Sequence, residues 1–181
     1  MNAFMRHKSR AALVLAAWLL SLAGCSDLTH PPLDTVDYVD LSRYMGKWYV
    51  VASIPTPLET GAYNAVETYT LRPDGKVATQ FSFHDGGFDG PAKTYDSTAR
   101  VVDTTTNAIW AVQFVWPFES DYRVIDLASD YSVAVVGRQK RDYAWVLSRT
   151  PRLPASEYDR ATRLLAADGY DVEALRRVPQ R

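Results

Sequence analysis

Gly46-Lys47-Trp48-Tyr49 and, much later in the chain, Trp145-Val146-Leu147-Ser148-Arg149 decide how this protein folds. Each is a short run rich in aromatic and β-branched residues, which is typical of a β-strand. Six more runs of this kind lie between them, and no stretch in that interval has a convincing helical pattern. In a sheet that closes on itself, the first and last strands become neighbours. The Arg149 guanidinium can then stack on the Trp48 indole, and the sequence predicts a closed barrel.

The chain between these two runs is divided by turn residues into short segments. Most of the links are too short for crossover helices, so the strands are predicted to be antiparallel and joined up-and-down. One link, Ser53–Asn64, is longer, and we expect it to act as a lid over the open end of the barrel. The eight predicted strands are 47–53, 65–71, 76–84, 95–102, 108–116, 122–127, 131–137 and 143–149.

The periodicity changes after the last predicted strand. Within Ser156–Ala167, apolar residues recur at helical spacing, and Gly169 follows as a stop signal. A helix with such a narrow apolar stripe needs a surface to pack on, and the outer wall of the barrel is the large one available. The predicted fold is therefore all-β, an eight-stranded antiparallel up-and-down β-barrel with a C-terminal α-helix packed on its outer wall.

The N-terminal residues have the layout of an export signal. Three basic residues precede an apolar run, 11–22, that is too short to span a bilayer. Leu22-Ala23-Gly24-Cys25 follows and resembles the lipobox of bacterial lipoproteins, in which cleavage precedes the cysteine and its sulfur is acylated. The resemblance predicts a signal peptide over residues 1–24, an acylated tether over 25–40 that begins with Cys25, and a domain over 41–181. An ordinary secretory signal with a chance cysteine is the alternative.

The charge balance excludes one class of partner. The chain has 20 Lys and Arg residues and 21 Asp and Glu residues, and removal of residues 1–24 takes away three bases and no acids. The mature chain is therefore acidic, and no nucleic acid is expected to bind. With its only cysteine acylated, the domain has no disulfide and must be held by packing. Ser26 after the cysteine, rather than Asp, favours the outer membrane as the destination.

Alternation along the strands identifies the side chains that can face the inside of the barrel. An eight-stranded barrel is either just filled by its side chains or holds one small ligand. Aromatic residues at alternate positions of several strands, and the lid-like link, favour the ligand. Glu67, Gln113 and Arg123 are candidates for contact with its polar head. The predicted ligand-binding residues are Tyr69, Phe81, Trp110, Val112, Phe114, Trp145 and Leu147.

The stretch Asp40–Tyr49 resembles the first signature of the lipocalin family, with its Gly-x-Trp core intact at Gly46 and Trp48. Arg149 matches the family arginine that covers this tryptophan, so the resemblance gives all three a structural role. The segment 141–149 is most similar to the bacterial outer-membrane lipoproteins of the family, which are related to apolipoprotein D. The middle signature is only loosely represented, at 126–131.

This resemblance implies the binding of small hydrophobic molecules, namely fatty acids and lysophospholipids. It also implies a place in the bacterial cell envelope, at the outer membrane and facing the periplasm, with a role in the storage or transport of lipids. The membrane contact would be made through the N-terminal acyl anchor.

An enzyme and a structural or interaction lipoprotein are the two alternatives to a lipid binder. The sequence carries no nucleophile elbow and no metal-binding spacing, and His84-Asp85 in a turn is typical of a surface feature. We therefore expect no enzyme activity, no cofactor and no metal. The remaining alternative is a structural or interaction lipoprotein with a filled barrel, which could form a homodimer through Trp116-Pro117-Phe118.

Overall fold

The computed structural model describes residues 30–115 and 117–181. The predicted signal peptide, the acylation site Cys25 and Trp116 lie outside these residues. Within them, no helix has both the length and the apolar character needed to cross a membrane.

The described residues form one antiparallel sheet of nine strands that closes into a barrel. Strand β1 pairs with β8 along one edge and with β2 along the other, which closes the ring. The predicted eight-stranded up-and-down barrel is therefore confirmed. The strands are β1 (Gly46–Ile54), β2 (Ala62–Leu71), β3 (Val77–Asp85), β4 (Ala92–Val101), β5 (Ile109–Val115), β6 (Phe118–Leu127), β7 (Val133–Gly137), β8 (Ala144–Ser148) and β9 (Arg176–Arg177).

Three strands begin well before the positions that the sequence predicts. Strands β2, β4 and β6 each start three or four residues earlier, in polar stretches such as the one around Lys93 and the one around Glu119. The predicted starts follow the hydrophobic pattern, whereas backbone pairing in a hairpin continues through polar residues. These three strands therefore extend further toward the end of the barrel that holds the links after β1, β3 and β5.

The first strand is preceded by a short helix, α1 (Leu41–Tyr44), which the sequence pattern does not predict because four residues show no period. The Asp40 side chain caps it by accepting hydrogen bonds from the backbone N–H groups of Ser42 and Arg43. Gly46 follows at a φ of +92°, a conformation that favours glycine. This turn places the fully buried Trp48 under the helix, where its indole N–H donates to the Tyr44 carbonyl at 2.8 Å.

Arg149 closes this end of the barrel. Its guanidinium carbon lies 3.7 Å from the centre of the Trp48 ring, so the stacking that the sequence predicts is present. The same guanidinium donates hydrogen bonds of 2.7–3.1 Å to four backbone carbonyls, those of Arg43, Tyr44, Met45 and Lys47. One side chain thus ties the end of β8 to both α1 and β1.

The C-terminal helix, α2 (Ala155–Ala167), packs on the outer wall of the barrel as predicted. Its buried residues Ala161 and Leu165 join wall residues such as Val135 and Val146 in a second apolar core outside the barrel. An ion pair between Arg160 and Asp126, at 2.7 Å, supports the same contact. The chain then makes a 3₁₀ turn at Val172–Ala174 and returns as β9 to the edge of β1 at Ala52 and Ser53.

The described part of the predicted tether, residues 30–40, runs along the outside of the barrel. Leu33 is buried in the outer core, and Val39 is buried in the core that contains Trp48. The backbone N–H groups of Val36 and Val39 donate to the carbonyls of Val124 and Thr106. The division into signal peptide, tether and domain stays a prediction, but the tether residues from Leu33 onward pack as part of the domain.

Candidate ligand-binding cavity

The barrel encloses a cavity of about 380 Å³. This volume lies within the range of roughly 300–1,000 Å³ that is usual for small-molecule sites. The cavity reaches the surface at one end of the barrel, beside the link between β1 and β2. Its apolar wall consists of Leu58, Tyr69, Phe81, Tyr95, Trp110, Val112, Phe114, Tyr122, Tyr143, Trp145 and Leu147.

All seven side chains that alternation selects lie on this wall. They reach it from separate strands because strand side chains alternate between the inside and the outside of a barrel. Trp110, Val112 and Phe114 come from β5, and Trp145 and Leu147 come from β8. The geometry therefore brings the predicted set together in one place, while their contact with a ligand stays a prediction.

The inner end of the cavity contains a chain of tyrosine hydroxyls. Tyr122 lies in the middle, with its hydroxyl oxygen 2.7 Å from that of Tyr44 and 3.0 Å from that of Tyr69. The Tyr122 ring also stacks on Trp110, with 4.9 Å between the ring centres. Burial raises the pKa of all three phenols well above the usual range. These hydroxyls therefore stay neutral and satisfy one another.

The link between β1 and β2 is fastened across the mouth by Glu59. One carboxylate oxygen accepts a hydrogen bond from the Trp145 indole N–H at 2.9 Å, and the other accepts one from the Thr56 hydroxyl at 2.8 Å. The Glu59 carbonyl accepts a third, from Arg176, at 2.8 Å. Residues 56–59 line the cavity, so this link covers the opening where the sequence places a lid.

Glu67, in the middle of β2, is partly buried and lines the cavity. Burial, together with the nearby charge of Glu59, raises the pKa of its carboxyl well above the ordinary value of 4.5. Among the described residues, no hydrogen bond reaches this carboxyl. It is therefore available to a ligand, and a protonated carboxyl can donate as well as accept.

Among the described residues, Arg138 is the one cation on the cavity wall, and it lies at the start of the link between β7 and β8. Its guanidinium lies between Asp121, at 3.4 Å, and Asp142, at 3.3 Å. Arg123 also pairs with Asp121, at 3.0 Å, and does not line the cavity. Of the three head-group candidates from the sequence, only Glu67 lies on the wall, because Gln113 and Arg123 do not reach it.

Sequence reasoning missed Glu59 and Arg138. Both lie in links between predicted strands, where alternation carries no information about direction. A signal that could have identified Glu59 is its place in the one long link, since such links are often functional. Arg138 has no comparable signal, because its position depends on carboxylates from β6 and from its own link.

The other chemical candidate from the sequence, His84-Asp85, is engaged in hairpin structure. The His84 Nδ1 atom lies 2.9 Å from the Gly90 carbonyl oxygen, and Asp85 pairs with Lys93 at 2.7 Å. In the part of the chain that the structure describes, no group of three or more potential metal ligands occurs.

Comparisons with known proteins agree with one another. A family model described as a lipocalin-like domain matches residues 39–180. The outer membrane lipoprotein Blc of Citrobacter freundii is 32% identical over 172 residues, which cover 94% of this chain and 96% of that protein. Apolipoprotein D of Macaca fascicularis is 30% identical, with 90% and 92% covered. The solved structure of insecticyanin from the tobacco hornworm shares the fold, with a TM-score of 0.63, 17% identity, and 82% and 85% covered.

Proposed function

The chain belongs to the lipocalin family, and from that premise we propose that it is a membrane-anchored lipid carrier of the bacterial envelope. Its ligand is a single-chain amphiphile, either a fatty acid or a lysophospholipid, which it binds reversibly and stores or transports. The observation that carries this proposal is the aromatic-lined cavity that reaches the surface beside the link between β1 and β2.

The cavity wall suits an alkyl chain. Burial of each methylene group contributes on the order of 0.8 kcal/mol, and the wall residues that surround such a chain are aromatic or aliphatic. The seven residues Tyr69, Phe81, Trp110, Val112, Phe114, Trp145 and Leu147 would contact the tail. The phenols at the inner end stay neutral, and the raised pKa of the Glu67 carboxyl favours its uncharged form. The interior is therefore compatible with a hydrocarbon chain.

The polar groups at the mouth suit a head group. Arg138 carries N–H donors that match a phosphate or a carboxylate, and it lies at the open end of the wall. Its carboxylate partners Asp121 and Asp142 hold it in place but leave it partly exposed. We therefore place the head at the mouth and the tail inside.

The proposed location rests on the N-terminus and on the relatives. Cys25 at the end of a lipobox-like sequence supports acylation, and stable anchoring needs more than one acyl chain. The bacterial relatives are named outer membrane lipoproteins. We propose the same place for this chain, at the outer membrane and facing the periplasm.

A structural lipoprotein with a filled barrel is the rival proposal. It would need a barrel whose side chains leave no room for a ligand, whereas a cavity of about 380 Å³ is present. A homodimer through the hairpin that contains Phe118 is compatible with either proposal. We propose a binding protein and not an enzyme, because the relatives are named as lipocalins and lipoproteins.

The test is a tryptophan-fluorescence titration of the delipidated mature chain without its anchor, residues 26–181. A monounsaturated fatty acid and a lysophospholipid are added, each below its micelle concentration. We expect saturable one-to-one quenching at micromolar or tighter affinity, because Trp110 and Trp145 line the cavity. A flat response from well-folded protein would contradict the proposal and favour the filled barrel.

Two variants assign the signal to the cavity. Trp145→Ala removes a wall residue and is expected to weaken binding about tenfold while the melting temperature changes little. Tyr49→Ala is the matched control, because Tyr49 packs in the outer core and does not line the cavity. Equal losses of affinity in both variants would mean that the quenching reports something other than cavity binding.

A further inference from the structure

The mouth of the cavity has a fixed position relative to the ends of the barrel. In an up-and-down antiparallel barrel, alternate links lie at the same end. The links after β1, β3, β5 and β7 therefore share one end, and the cavity opens there, beside residues 56–59 and Arg138. The links after β2, β4 and β6 share the other end with α1, Trp48 and Arg149.

The N-terminal segment reaches the barrel at the mouth end. The Pro31 carbonyl accepts hydrogen bonds from Gln139, at 3.0 Å, and from Arg141, at 2.9 Å, and both residues belong to the link after β7. The Leu33 backbone N–H donates to the same Gln139 side chain at 3.0 Å. From there the segment descends to Val39, whose N–H donates to Thr106 in the link after β4.

The length of chain before His30 limits where an acylated Cys25 can lie. Four residues lie between these two positions, and the five extended residue-to-residue steps span at most about 18 Å. A nine-residue strand such as β3 is about 30 Å long, which the tilt of barrel strands reduces to roughly 23 Å of barrel height. The anchor therefore cannot reach the level of the closed end, and it holds the mouth end toward the membrane.

The mouth end also exposes apolar side chains. Leu58 in the lid, Phe114 in β5 and Phe118 in β6 are 59%, 58% and 75% exposed, and the first two line the cavity entrance. The other large exposed apolar residues include Leu71 and Val102, which lie at the closed end, away from the anchor. Amphiphilic surfaces of this kind bury their apolar residues at the boundary between head groups and acyl chains.

We propose that the open mouth of the barrel docks on the lipid surface that holds the acyl anchor, with Leu58, Phe114 and Phe118 in contact with the head-group boundary. A single-chain amphiphile then passes between the bilayer and the cavity without crossing bulk water. This inference rests on the proposed anchor and on the proposed lipid binding, so its test reads orientation separately from both.

The experiment uses the acylated full-length lipoprotein in vesicles of phosphatidylethanolamine and phosphatidylglycerol. Because Cys25 is blocked by acylation, a single new cysteine can carry a fluorescent donor. Lys140→Cys places it at the mouth end and Asp74→Cys at the closed end, both at exposed positions. Energy transfer to a head-group-labelled acceptor lipid is expected to be at least threefold stronger from position 140. Equal or reversed transfer would overturn the proposed orientation, whether or not a ligand binds.

A second measurement tests the apolar contact. Phe118 is exposed and does not line the cavity, so Phe118→Ser is expected to leave the affinity of the soluble chain for lysophospholipid within twofold. In vesicles it should slow transfer of that lipid to the protein about fivefold, whereas Leu71→Ser at the closed end should not change the rate. Equal transfer rates for Phe118→Ser and Leu71→Ser would contradict the docking surface. A change of oligomeric state in Phe118→Ser that accounts for the slower transfer would contradict it as well. If the unsubstituted protein does not bind vesicles, the proposed acyl anchor is wrong.

Discussion

At the closed end of the barrel, Arg149 lies on the fully buried Trp48 and donates to four backbone carbonyls. At the open end, a cavity of about 380 Å³ reaches the surface, and the Glu67 carboxyl inside it has no hydrogen bond from the described residues. The first arrangement connects the end of β8 to α1 and β1. The second leaves an unfilled cavity and a carboxyl group without a hydrogen-bond partner among the described residues. We infer that the closed end supplies stability and that the open end supplies binding. Substitutions at the two ends should therefore change different measurements.

The largest expected effect is that of Trp48→Ala. Loss of a fully buried tryptophan should lower the free energy of unfolding by about 3–5 kcal/mol. The affinity of the molecules that remain folded should stay within twofold, because Trp48 does not line the cavity. Urea unfolding followed by fluorescence, and lipid titration under folded conditions, measure the two quantities.

Trp145→Ala is the counterpart at the other end, and Trp48→Phe serves as a milder variant if Trp48→Ala does not fold. Equal losses of stability and of affinity in the Trp48 and Trp145 variants would remove the proposed division between the ends.

The next effect is that of Arg149→Lys. Lysine keeps the charge over the indole, but it cannot reproduce the planar set of donors that reaches four carbonyls. We expect the free energy of unfolding to fall by about 2 kcal/mol. Arg177 offers a matched control, since its guanidinium lies 3.9 Å from the centre of the Tyr158 ring on the protein surface.

For Arg177→Lys the expected loss is below about 0.5 kcal/mol, because the cation–π attraction is retained. Similar losses for the two arginines would show that stacking, and not the bonds to the carbonyls, gives the closed end its stability.

Much of the closed end can be predicted from the sequence, because its signals are local. Trp48 lies in a strand that alternation identifies and Arg149 directly follows another, and closure of an up-and-down sheet makes those strands adjacent. Strand β9 could not be predicted in the same way. Arg176–Arg177 has no period of its own, and it pairs with β1 only because β2 leaves that edge after Tyr49.

At the open end, some residues can be predicted from the sequence and others cannot. The aromatic wall follows from strand alternation, so its seven side chains are found from the sequence. Glu59 and Arg138 depend on contacts with Trp145 and Asp121, which come from distant parts of the chain. A link residue takes its direction from such contacts and not from any repeat in the sequence, and for that reason both were missed.

The pH dependence of stability is the third expected effect and belongs to the open end. The pKa of the Glu67 carboxyl is raised above its ordinary 4.5, so the folded state holds a proton that the unfolded state releases. The resulting stability is complete below about pH 4.5 and is lost as the pH rises through the folded-state pKa. The slope due to this group cannot exceed about 1.4 kcal/mol per pH unit.

Glu67→Gln isolates this contribution, because the amide does not titrate. The difference in unfolding free energy between the variant and the unsubstituted protein should grow in favour of the variant as the pH rises above 4.5. Urea unfolding at a series of pH values measures it. A difference that is constant with pH would mean that the Glu67 carboxyl is not held in a low-dielectric cavity.

The smallest expected effect compares one hydrogen bond at each end. Trp145→Phe keeps an aromatic ring on the wall but removes the indole donor to Glu59, and a bond of this kind is worth about 1 kcal/mol. If that bond holds the lid, a lysophospholipid should dissociate about fivefold faster in a stopped-flow displacement assay, with little change in unfolding. Thr56→Val, which removes the other donor to the same carboxylate, should act similarly. Trp48→Phe removes the indole bond to Tyr44 at the closed end and also reduces buried volume. A loss of at least that size should therefore appear in unfolding, while dissociation should stay unchanged. A faster dissociation in Trp48→Phe as well would mean that the two ends are coupled through the barrel and that the lid is not an independent element.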